Sequence, residues 1–132
     1  MIRTSLVLAT LLLLALMGCR EDASASSFHA VYGPDPEQTV ARMLALAEAG
    51  NWSAYVDEFY GETEKLHDYN DRWQLIERFK SQWGEHAVSV LREVSGIEPE
   101  MSDDKSKAVF FIERGRQFTL YLDTDRRWKF HL

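Results

Sequence analysis

A second cysteine is missing from this 132-residue chain, and with it any intramolecular disulfide. A structural zinc site built on several thiolates is excluded for the same reason. Basic residues are in deficit, 15 Lys and Arg against 21 Asp and Glu, giving a net charge of −6. A field of that sign repels phosphate backbones and anionic headgroups, and no basic run or basic–aromatic interleaving offsets it, so nucleic acid is not an expected partner. No glycine-rich phosphate loop and no Gly-x-Ser-x-Gly turn occurs. No His-x-x-x-His pair suggests a metal. Glu98, Glu100, Asp103 and Asp104 surround Pro99 without the spacing of a calcium loop and read as a solvated turn. Neither metal nor cofactor is expected.

Aromatics, in contrast, are plentiful: four Trp, five Tyr and seven Phe. A small domain needs such bulky groups to bury enough apolar surface, and the length allows one domain.

The first 18 residues have a basic start at Arg3 and an apolar run from Leu6 to Met17, broken only by Thr10 and followed by Gly18. About a dozen apolar residues make an export signal, whereas a spanning helix needs roughly 20. Leu16-Met17-Gly18-Cys19 resembles the lipobox of bacterial lipoproteins: an aliphatic residue, a variable one, a small one, then cysteine. The resemblance implies cleavage between Gly18 and Cys19, lipid on the Cys19 thiol, and attachment to a membrane on its extracytoplasmic side. Two or more buried acyl chains hold a protein stably there. Arg20 stands where an inner-membrane retention signal has Asp, which favours the periplasmic side of the outer membrane in a source with two membranes. Loss of residues 1–18 leaves 14 basic against 21 acidic residues, net −7. Residues 19–35, with Ala and Ser at 23–27, read as a tether of about 20–25 Å average reach.

Asp35-Pro36-Glu37-Gln38 predicts a capped helix start, with Val40, Met43, Leu44 and Ala47 at helical spacing until Gly50. Asn51 predicts a second cap, before Trp52, Tyr55, Val56, Phe59 and Tyr60. A third helix is expected from Asp71 to Trp83, with Trp73, Ile76, Phe79 and Trp83 on one face and Gly84 as its stop. His86, Val88 and Val90 alternate and predict a strand continuing to Val94. Lys107–Glu113 and Gln117–Asp123 predict a hairpin turning at Arg114-Gly115, and Trp128–Leu132 a last strand. The expected fold is α+β: three N-terminal helices on a four-stranded antiparallel meander.

That order, closed by Tyr121, then Trp128-Lys129-Phe130, resembles the NTF2-like superfamily over residues 36–132. The resemblance implies a curved sheet wrapping the helices into a cone whose open end holds a ligand. It also implies pairing of two copies through the sheet, with Thr119, Tyr121 and Lys129 on the outward face. No catalytic motif of the family's enzymes stands in this chain.

Trp52, Tyr55, Phe59, Trp73 and Trp83 are the candidate pocket lining, though aromatic stripes at helical spacing are usually plain core. His67 and Asp68 are the candidate acid and base; the competing reading is an exposed loop, with Asn70 or Asp71 capping the third helix. The leading expectation is a lipid-anchored, non-catalytic module for a small hydrophobic ligand or an envelope protein. Two others stay open: a small-molecule isomerase- or dehydratase-like enzyme using His67 or Tyr55, and an inhibitor or immunity-type binding protein.

Overall fold

The computed structural model describes residues 35–132. The expected signal at 1–18, the cleavage site at Gly18 and Cys19, and the tether up to residue 34 lie outside the described residues. Helix α1 (Pro36–Glu48) begins as its sequence predicts: the Asp35 carboxylate accepts from the Gln38 backbone N–H at 2.7 Å, and Gln38 Oε1 accepts from the Asp35 N–H at 3.3 Å. Val40, Met43, Leu46 and Ala47 are its buried face. The chain turns at Gly50, whose φ of 68° is a left-handed value that glycine adopts without strain. Helix α2 (Trp52–Phe59) follows, its first turn capped by Asn51, and buries Trp52, Tyr55, Val56 and Phe59.

Helix α3 (Tyr69–Arg78) departs from expectation in rotation. Its inward stripe is Arg72, Leu75, Ile76 and Phe79 rather than one led by Trp73. Arg72 is the reason: its guanidinium donates to both Asp57 oxygens at 2.7 Å and to Ser53 Oγ at 2.9 Å, all on α2. This pins α3 with Leu75 and Ile76 inward and leaves Trp73 half exposed, at 50%.

The helix does not stop at Gly84. A π-helical turn (Phe79–Trp83) leads directly into helix α4 (Gly84–Val94), so the strand expected over 86–94 is helical. The alternation of His86, Val88 and Val90 competes with a helical set of Ala87, Val88, Leu91 and Val94, and packing decides between them. Leu91 and Val94 are almost fully buried, and α4 lies against α1. Gly84 serves close approach rather than termination. A Cβ there would sit 2.8 Å from the Trp52 ring and 2.6 Å from the Phe79 carbonyl oxygen.

Four strands do form, with the first in a different place: β1 (Glu100–Met101), β2 (Lys107–Phe111), β3 (Gln117–Leu122) and β4 (Trp128–Lys129). They make an antiparallel meander in the order β1-β2-β3-β4, with Ala108 opposite Leu120 and Phe110 opposite Phe118. The β2–β3 connection passes through Arg114 and Gly115, both at positive φ, and closes on the Ile112 N–H donating to the Arg116 carbonyl at 2.8 Å. Ala108, Phe110 and Leu120 are sealed, and with Trp128 and Phe130 they complete the helical core. Each large apolar side chain so buried contributes roughly 1.5–3 kcal/mol. No helix among the described residues is long and apolar enough to cross a membrane.

Candidate functional site

A cleft of about 480 Å³ opens between the π-turn and α4 on one side and β3 with the following C-terminal tail on the other. The helical wall is one stripe: Phe79, Trp83, His86 and Val90 follow at steps of four, three and four. A π-turn carries an extra residue relative to an α-turn, which changes which side chains share a face beyond it. Here Phe79 meets Trp83 edge-on at 5.5 Å, and Arg78, five residues before Trp83, lies 5.6 Å over the Trp83 ring.

Phe118 and Tyr121 of β3 form the opposite wall. Their neighbour is the tail, which is held by backbone pairing. The Phe130 N–H donates to the Phe59 carbonyl at 2.8 Å, and the Gly61 N–H donates to the Phe130 carbonyl at 2.9 Å. Gly61 permits this approach, since a Cβ there would fall 2.8 Å from both the His131 ring and the Lys129 Cβ. The next anchor is Glu62, which accepts from the Leu132 N–H at 2.8 Å and pairs with Lys65 at 2.6 Å. Those donors hold its carboxyl below the ordinary range, Lys65 foremost. His131 is thereby stacked on Tyr121, ring centroids 4.0 Å apart and planes 5° from parallel.

At the floor stands Tyr55, whose ring packs 5.3 Å from both Phe79 and Phe130. It is buried and lines the cleft. Burial pushes its ionisation far up, so at neutral pH it is a hydrogen-bond donor and not a phenolate. No Asp or Glu side chain lines this cleft.

Of the five aromatics expected in a pocket, Tyr55 and Trp83 line this cleft. Trp52 is core, stacked on Phe79 at 5.4 Å, and borders a separate groove beside Gly84. Phe59 is core beneath another groove near Trp128, and the half-exposed Trp73 does not line the cleft. His67 and Asp68 do not form an acid–base pair here. Asp68 caps α3 by accepting from the Asp71 N–H at 2.9 Å, and the exposed His67 lies 3.4 Å from Asp71. His67 borders a second cleft of about 390 Å³, together with Lys65, Asp71 and Arg78. Trp83 and Leu132 border both clefts.

His86 and His131 both line the first cleft, because 86–94 is helical and the tail folds back over β3. The Phe79, Trp83, Val90 spacing could have signalled the stripe had Gly84 not been read as a stop. The sheet face carrying Thr119, Tyr121 and Lys129 is not free as expected: Thr119 and Tyr121 border the cleft, and Lys129 is buried and paired with Asp125 at 3.2 Å. Among the described residues no cluster of three or more His, Cys, Asp or Glu could hold a metal ion. Comparison with protein-family models, with curated proteins and with solved structures gives no match to this chain.

Proposed function

We propose that this chain is a bacterial lipoprotein, cleaved before Cys19 and anchored by lipid on that residue, whose folded unit is an NTF2-like module that binds a small, largely apolar ligand. The lipobox Leu16-Met17-Gly18-Cys19 at the end of an apolar run supports the anchor. Arg20 favours the periplasmic side of the outer membrane where there are two membranes. Helices followed by an antiparallel meander that ends in Trp128-Lys129-Phe130 support the NTF2-like reading.

The observation that carries ligand binding is the 480 Å³ cleft, walled by Phe79, Trp83 and Phe118, with Tyr55 at its floor. Apolar walls with one or two placed polar groups are what a small-molecule site requires, and this volume lies within the usual range. Binding is favoured over proton transfer because the walls are largely apolar and no Asp or Glu side chain in the lining stands beside His86 or His131 to orient a proton transfer.

Native mass spectrometry of the full chain, extracted gently from membranes of its own host, tests this reading. A small molecule of defined mass is expected on the wild type and absent from Val90→Trp, which fills the cleft. A bare protein mass for both variants would end the ligand reading. The anchor is tested separately by Cys19→Ser, which is expected to move the chain from the membrane fraction to the soluble one.

A further inference from the structure

The two adjoining clefts differ in character from the rest of the surface. The chain as a whole carries 21 acidic residues against 15 basic ones. The linings of the two clefts hold one acidic side chain, Asp71, beside Lys65, Arg78 and the histidines 67, 86 and 131, and the Leu132 main-chain oxygen there accepts from Lys65 at 3.3 Å. Asp71 is already engaged, since its Oδ2 accepts from the His67 N–H at 2.9 Å. The two permanent cations, Lys65 and Arg78, therefore share one opening of an acidic molecule, which favours an anion there.

Among these groups Arg78 is distinct. Lys65 is held by Glu62 at 2.6 Å and His67 lies 3.4 Å from Asp71, but Arg78 has no carboxylate within ion-pair distance among the described residues. Its guanidinium instead rests over Trp83, the residue that borders both clefts. Stacking on an aromatic face leaves the guanidinium edge free to donate to a carboxylate.

We propose that the two clefts form one elongated site for an amphipathic carboxylate: an apolar body lies between Trp83, Val90 and Phe118, and the carboxylate is held by Arg78 at the rim. A single guanidinium fork matches one carboxylate in charge and geometry. The inference rests on the ligand reading of the first cleft and adds to it the chemical class of the ligand.

The test measures binding of decanoate and of decanol, which lacks the charged head, to the full chain in phospholipid nanodiscs, with empty discs as blank. Decanoate is expected to bind about tenfold more tightly than decanol, the size of one charge-assisted hydrogen bond. Arg78→Gln is expected to erase that preference with decanol unchanged. Lys80→Gln removes the same charge from the adjoining π-turn but lies outside both clefts, and should keep the preference. Equal affinities in the wild type, or an equal effect of Lys80→Gln, would overturn the carboxylate inference while leaving the ligand site standing. Binding of both probes that Val90→Trp does not weaken would overturn the two together.

Discussion

Gly84 illustrates how one missing side chain sets local architecture. In an exposed helix, replacing glycine with alanine gains about 1 kcal/mol. Here the added methyl meets the Trp52 ring and the Phe79 carbonyl oxygen, and neither can yield without disturbing the π-turn. Gly84→Ala is therefore expected to destabilise the fold by about 1–3 kcal/mol, read as a lower urea midpoint. Asp104 offers a second test at this scale. Its Oδ1 accepts from the Ser106 and Ser102 hydroxyls at 2.6 and 2.7 Å and from the Ser106 N–H at 3.0 Å. These bonds, Ser106 first, lower its carboxyl to about 2. A lowered folded-state value means that the turn between β1 and β2 contributes its stability above the ordinary value of 3.8 and loses it as pH falls toward 2. Ser106→Ala is expected to raise the Asp104 ionisation in a carboxyl NMR titration and to move that loss to higher pH.

Among the elements, α1 was the most legible from sequence, because cap, proline and apolar period all agree there. Asp35→Ala removes the capping box and is expected to cost about 0.5–2 kcal/mol, measured by thermal melting. The hairpin of β2 and β3 was equally readable, with Arg114 and Gly115 at its turn in the left-handed conformations that a tight reversal uses. The helix pair α3 and α4 was not. Three features there have local meanings that packing overrides: a glycine at a stop position, an alternating valine pattern, and an exposed tryptophan at a core spacing. The stripe of Phe79, Trp83, His86 and Val90 exists only because the helix runs through, so half of the candidate site was invisible to any reading that ended the helix at Gly84. The other half depends on the tail doubling back beside Gly61, a long-range pairing that no local period encodes.

For the whole molecule, the consequence is a cleft whose two walls come from distant parts of the chain and whose floor is core. Trp83, Phe118 and Tyr55 each serve packing on one side and the opening on the other, which explains why an aromatic-rich sequence reads equally as core and as pocket. The central claim is that ligand enters this cleft and no other surface. The most direct measurement is fluorine NMR of the chain labelled with 5-fluorotryptophan, its four signals assigned by single Trp→Phe variants and followed as decanoate is added. The account predicts a saturable shift of the Trp83 signal, which lies at the boundary of both clefts, with the signal of Trp73, which lines neither, unmoved. A shift at Trp73 with Trp83 unchanged, or no shift at any of the four, would contradict it.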